Sequence, residues 1–266
     1  MTNEMLKKIK QLPPLPESAM QIESIYQNPA SSLADMVKVL EKDPLLMADI
    51  LRSANSPLYG FSREITSVSQ AAGLFGMGTI RGFALATIVK KSFAIDLSIY
   101  SIDIETFSNL SKKQHALVTS WFLKNEPSIL GVLSPAAFLV EIGKVMIAQQ
   151  IKTDKNELKF KEMLESGVDL ADIEKELCGS STVEVSATMF EHWKFDQKLV
   201  DTIKYSEDPS LAPQNIVKLS QILQVIRTAI LLNATTDEQS IEQAIALAES
   251  YSLDTTALQV ALQNIA

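Results

Sequence analysis

DPLLMADILRSANSPLYG, residues 43–60, is the stretch from which the architecture can be read. Asp43 offers a carboxylate to the orphan amides of a helix start, and Pro44 brings the fixed φ that suits a first helical position. Leu45, Leu46, Ile50 and Leu51 are then expected on one side, as the core-facing stripe of a helix over 44–54. Asn55 and Ser56 can cap the last carbonyls, Pro57 ends the helix, and Tyr59-Gly60 closes the exit.

The same three- and four-residue apolar spacing continues in both directions, glycine is scarce at nine residues, and strict apolar/polar alternation is rare. The chain therefore reads as all-α. Upstream, helices are expected near 3–11, 16–28 and 32–42, and downstream near 66–75 and 78–93, then 104–125, 135–151, 155–166, 170–178, 182–193 and 197–206. A last set near 212–232, 237–250 and 254–264 follows Pro209 and Pro213. Ser134-Pro135 repeats the start signal of Asp43-Pro44, while Ser181 with Glu184 and Thr235 with Glu238 have capping-box spacing. Helical spacing lapses over Phe93 to Ser101. The expected organisation is an N-terminal lobe over 1–95, a second lobe over 96–206 and an acidic helical extension over 207–266.

In QAAGLFGMGTIRGFALA, residues 70–86, glycines surround a short turn between helices, as in a DNA-binding helix-turn-helix. The second helix opposes that reading, because beside Arg81 it offers Ile80, Phe83, Ala84, Leu85 and Ile88, a set for burial rather than for reading base edges. Lys90 and Lys91 at its end complement the helix dipole.

Composition narrows the function classes. Among 266 residues, 46% are apolar and 21% charged, as in an ordinary globular protein. No apolar run approaches the roughly 20 residues of a membrane span, and the start lacks a secretory apolar stretch, so a cytoplasmic protein without a membrane association is expected. Cys178 is the only cysteine, which rules out an intrachain disulfide and a thiolate-rich metal site. Net charge is −8. Lys and Arg against Asp and Glu number 10 to 8 over 1–95, 12 to 17 over 96–206 and 2 to 7 over 207–266, so only the first lobe could present a basic face to nucleic acid, and such binding is disfavoured. The two histidines, His115 and His192, limit metal chemistry, and no nucleophile-elbow, zincin or phosphate-loop motif is present.

Three blocks in order, LPPLPESAMQIESIYQNP (12–29), KVLEKDPLLMADILRSANSPLYG (38–60) and ITSVSQAAGLFGMGTIRGFAL (65–85), resemble the N-terminal half of HD-related output domain (HDOD) proteins. The resemblance extends more weakly through 104–206. It implies a multi-helix fold in which an N-terminal lobe packs on a degenerate form of the HD-type metal phosphohydrolase scaffold. It places His115 at the first histidine of that scaffold, Val140-Glu141 at its His-Asp pair, Thr182 at a later histidine, and Tyr205-Ser206 at a late histidine pair. One histidine and one carboxylate cannot close a metal site, so no metal, cofactor or catalytic residue is assigned. Gln70 and Asp196 depart from the family pattern.

The resemblance implies a non-catalytic signal-transduction domain that acts through protein partners, with its altered pocket either filled or used by a regulatory ligand. The alternatives are a divergent metal-dependent phosphohydrolase and, further off, a nucleic-acid-binding regulator. Asn55, Ser56, Tyr59 and Arg63 are the expected partner edge, with an amide, a hydroxyl, a phenol and a guanidinium gathered around one aromatic anchor. Oligomeric state has no signature in the sequence.

Overall fold

Asp43 Oδ1 accepts from the amides of Leu45 at 3.1 Å and Leu46 at 2.9 Å, so the start signal acts as written. The computed structural model describes residues 1–265, and every regular element among them is helical. The first part holds α1 (Asn3–Lys10), α2 (Glu17–Gln27), α3 (Leu33–Leu40), α4 (Pro44–Ala54) and α5 (Val68–Lys91). On α4, Leu46 and Ile50 are buried, but Leu51 is half-buried and Leu45 is 73% exposed. The expected four-residue stripe is corrected to the 46/50/54 row, because neighbours in sequence lie about 100° apart on a helix and Leu45 falls off that row.

The helices expected at 66–75 and 78–93 are two arms of α5, bent at Gly76, whose φ of 79° and ψ of 167° suit glycine. The second arm buries Ile80, Phe83, Ala84, Leu85 and Ile88. It lies against α7 (Leu130–Leu139) so closely that a Cβ on Gly78 would fall 2.4 Å from Gly131 Cα. Arg81 is completely buried there. Its Nε and Nη2 donate to both oxygens of Glu23 at 2.6 and 2.7 Å, Nη1 donates to the Gly131 carbonyl at 3.2 Å, and its guanidinium lies 4.1 Å from the Tyr26 ring centroid. One side chain thus ties α2, α5 and α7 together.

The middle part comprises α6 (Ile104–Phe122), α7, α8 (Gly143–Thr153), α9 (Glu157–Glu165), α10 (Leu170–Cys178), α11 (Thr182–His192) and α12 (Gln197–Lys204). Two expectations change here. Pro135 lies inside α7 rather than at a helix start. A proline at 135 leaves the carbonyl four residues earlier without its helical donor, and that carbonyl, of Gly131, is the one Arg81 takes. The single helix expected over 135–151 is two, α7 and α8, and the Ser186 hydroxyl bridges the break by donating to Val140 O and accepting from Gly143 N, both at 2.8 Å.

The last part holds α13 (Val217–Ala229), α14 (Glu238–Ser250) and α15 (Thr255–Ile265). The cap of α14 is Asp237, which accepts from Ser240 N at 2.7 Å, rather than the expected Thr235 with Glu238. Asp237 stands immediately before the first helical residue, where its carboxylate reaches the third amide of the turn. A continuous apolar core passes through all three chain segments, with α13 against α7, α12 and α14, and α15 against α6. The helical stretches 68–91 and 127–153 are long and apolar enough to cross a membrane by length and composition, contrary to the reading of apolar runs above. Their 18-residue apolar windows are 67% and 83% buried inside this core.

Candidate functional site

Glu141 sits at the corner between α7 and α8, and Lys144 follows one turn later. The Lys144 ammonium is enclosed, 3.2 Å from Glu174 Oε1, 3.4 Å from Glu141 Oε2 and 3.1 Å from Thr182 Oγ1, with the Tyr100 ring centroid at 5.0 Å. Arg227 reaches in from α13 and donates from Nε to Glu141 Oε1 at 2.7 Å. Glu174 is held by further donors: the Tyr100 hydroxyl at 3.0 Å, the Thr182 amide at 2.6 Å and the Thr182 hydroxyl at 2.8 Å. Burial alone would raise the Glu141 pKa, but the Arg227 guanidinium and the Lys144 ammonium hold it at about 2. Two carboxylates and two cations leave the cluster neutral. Lys144, Glu174, Thr182, Ser206 and Arg227 line a cavity of about 390 Å³ together with the carboxylates of Asp169, Asp172 and Glu207.

His115 has different surroundings. It is completely buried on α6, its ring stacked on Phe138 at 4.0 Å between centroids and 17° between planes. The Tyr59 hydroxyl meets Nδ1 at 2.5 Å and the Ser134 hydroxyl meets Nε2 at 2.7 Å, with Thr119 Oγ1 at 3.4 Å. Burial pushes its pKa down to about 3, so the ring is neutral at physiological pH.

A family model described as the HDOD domain matches residues 12–209, three quarters of the chain. This chain belongs to the HDOD family. Solved structures share the HDOD fold over almost the whole chain. A Shewanella amazonensis SB2B protein, provisionally named a phosphohydrolase, superposes with a TM-score of 0.71 at 22% identity, covering 99% of this chain and 94% of its own. A Marinobacter aquaeolei VT8 protein, provisionally named a signal transduction protein, gives 0.70 at 19% identity over the whole of this chain and 59% of its own. An HDOD domain protein of unknown function from Geobacter sulfurreducens gives 0.61 at 16% identity, covering 99% and 97%. At these identities the likeness speaks for the fold alone. An uncharacterized Treponema pallidum (strain Nichols) protein is 29% identical over 70 residues, a match that spans 26% of this chain and 14% of that protein.

Of the six positions that the resemblance assigned to a former metal site, the HDOD chain brings only some together. Glu141, Thr182 and Ser206 gather around Lys144 and Arg227. His115 lies in its aromatic cage, Val140 is buried with its carbonyl bonded to Ser186, and Tyr205 caps α12 beneath the Lys204 ammonium. Among the described residues, no three of His, Cys, Asp or Glu converge as a metal site. The donor set does not fit a divalent cation, since Glu141 already accepts from Arg227 and the space between Glu141 and Glu174 holds an ammonium. Sequence reasoning missed Lys144, Glu174, Arg227 and Tyr100. Lys144 stood one helical turn after Glu141, and Arg227 is one of only two cations in 207–266, which were the signals available.

The expected partner edge is also rearranged. Asn55, exposed beside the same groove as Ser56, has its amide engaged as a backbone clamp, donating to Ile65 O at 2.8 Å and Leu51 O at 3.0 Å and accepting from Ile65 N at 2.8 Å. Tyr59 gives its hydroxyl to His115 and sets its ring edge-on to Phe75 at 5.0 Å and Phe83 at 5.9 Å. The reading of Tyr59 as an outward aromatic anchor is therefore corrected, because that ring closes the His115 cage. Ser56, beside a groove of about 710 Å³, and exposed Arg63 still face outward, with Phe61 40% exposed between them. Cys178 is buried, and its thiol is pushed up to about 12 by burial and then by Glu174, so it stays unreactive.

Proposed function

We propose that this HDOD chain is a non-catalytic signalling module of the cytosol, which acts by holding protein partners rather than by hydrolysing phosphate esters. The observation that carries the reading is the Lys144 ammonium between Glu141 and Glu174. A hydrolytic metal centre needs open coordination sites and a water whose pKa the metal lowers. An ammonium on a tethered stem offers neither, and with Arg227 it already cancels the charge of both carboxylates. Partner contact falls to the outward groups left on the first lobe, Ser56, Phe61 and Arg63.

Metal content after dialysis, measured together with hydrolysis of bis-p-nitrophenyl phosphate in added manganese, tests the proposal. The expected result is metal well below stoichiometric, about 0.1 per chain or less, and no turnover above buffer. Stoichiometric metal together with turnover that Glu141→Gln abolishes would overturn it in favour of a divergent phosphohydrolase.

A further inference from the structure

Another cavity, of about 570 Å³, lies between α4, the end of α5 and α6, and shares Phe83 and Phe138 with the surroundings of His115. That volume falls within the usual range for small-molecule sites. Its walls include Phe83, Phe107 and Phe138, each nearly completely buried. Two lysines enter it from different helices, Lys90 from α5 and Lys112 from α6, both half-buried. The dipole of α5 accounts for a cation at its end but not for one turned into an aromatic cavity, where the Lys90 ammonium lies 5.7 Å from the Phe107 centroid.

The charge balance of the cavity is incomplete. Its one carboxylate, Asp49, is engaged by Lys91 at 2.7 Å and by Arg52 at 3.3 Å. Among the described residues neither Lys90 nor Lys112 has an ion-pair partner. Burial, and then the charge of Lys112, push the Lys90 pKa down to about 7. Holding a second positive charge on Lys90 beside that of Lys112 over an apolar wall is therefore costly, and a bound anion offsets that cost. The concave apolar lining suits a compact molecule and not a nucleic-acid backbone, which needs a track of cations.

We infer that this cavity binds a small amphipathic anion, with a phosphate or carboxylate head between Lys90 and Lys112 and an aromatic or aliphatic body against Phe83, Phe107 and Phe138. The inference does not depend on whether the chain is catalytic. Asp49, Arg52 and Lys91 are the other charged groups facing the head, and their mutual pairing leaves the two lysines as its holders.

Calorimetric titration of the full chain with adenosine monophosphate, decanoate and inorganic phosphate tests this. Expected is one-to-one binding of at least one of the two amphipathic anions, the better of them identifying a flat or an extended body. Phosphate alone should bind at least tenfold more weakly. Lys112→Met should weaken the better anion by about tenfold, equivalent to about 1.4 kcal/mol. The double variant with Lys90→Met should abolish detectable binding while melting at or above the parent temperature, because an amine buried against aromatic rings without an ion-pair partner is replaced by an apolar side chain. Binding at pH 7.5 should take up a proton at Lys90, so the heat should vary with the ionisation enthalpy of the buffer. The inference is overturned if neither anion binds at about 1 mM, if the folded double variant binds as tightly as the parent, or if uncharged adenosine and decanol bind as tightly as their anionic counterparts.

Discussion

The groups that meet His115 are Tyr59, Ser134, Thr119, Phe83 and Phe138, none of them charged, whereas those that meet Glu141 are Arg227 and Lys144, both cations. Both positions correspond, by the family resemblance, to parts of one metal centre. The difference follows from what each side chain can become without a metal. Imidazole loses its charge near neutral pH at little cost, so it can be buried among rings and hydroxyls. A carboxylate can be neutralised only by protonation at high cost or by imported positive charge, and here two basic side chains supply it.

The largest break in this comparison is expected from Lys144→Met. Removing the ammonium leaves Glu141 and Glu174 facing each other in a buried site, and breaking such a pair from one side typically costs about 3–5 kcal/mol. Urea denaturation should show that loss, and adding Glu174→Gln to the same protein should restore most of it. A single Lys144→Met variant as stable as the parent would mean that the cluster is solvated rather than enclosed.

Acid titration separates the two regions next. For His115 the folded pKa of about 3 lies below the ordinary 6.5, so between those values the unfolded chain holds a proton that the folded chain lacks. Its contribution is full above pH 6.5 and is lost as pH falls toward 3, by up to about 1.4 kcal/mol per pH unit. For Glu141 the folded pKa of about 2 lies below 4.5, so its contribution is present above 4.5 and is lost as pH falls through 2. His115→Gln should therefore flatten the stability profile between pH 6.5 and 4.5, while Glu141→Gln should leave the slope in that window unchanged. Equal slopes in parent and His115→Gln would place the ring in contact with solvent.

Smaller effects sharpen the picture at the partner edge. Tyr59→Phe removes one bond to a buried ring nitrogen and should cost about 1–2 kcal/mol in the same denaturation assay. Arg63→Ala should change stability by less than about 0.5 kcal/mol, as an exposed substitution does. If Arg63→Ala proved the more damaging of the two, the inward placement of Tyr59 would be wrong.

How much of this was legible in the sequence depends on the range of the interaction concerned. The helix over 44–54, the glycine bend within 70–86 and the lapse after Phe93 rest on contacts a few residues apart, and local residue types predicted them. Pro135 misled because its usual meaning at a helix start was overridden by Arg81, 54 positions earlier, which took the carbonyl that proline leaves free. Tyr59 misled for the same reason, since its partner His115 lies 56 residues away. The absence of a histidine set was readable by counting. What replaced it was not, because Lys144, Glu174 and Arg227 meet only when α8, α10 and α13 are packed.

The contact of Gly78 with Gly131 restricts which sequences this architecture can accept. A methyl group on Gly78 would overlap the α7 backbone, and one on Gly131 would fall 2.1 Å from the Tyr26 hydroxyl. Gly78 cannot be enlarged without moving α7 away from α5, which lengthens the bond from Arg81 to Gly131 O, and a side chain at Gly131 would displace the Tyr26 ring that lies against the Arg81 guanidinium. A side chain at either position would therefore threaten the placement of a buried guanidinium several ångströms away. Two residues without side chains are what allow the longest one in that core to be held in place.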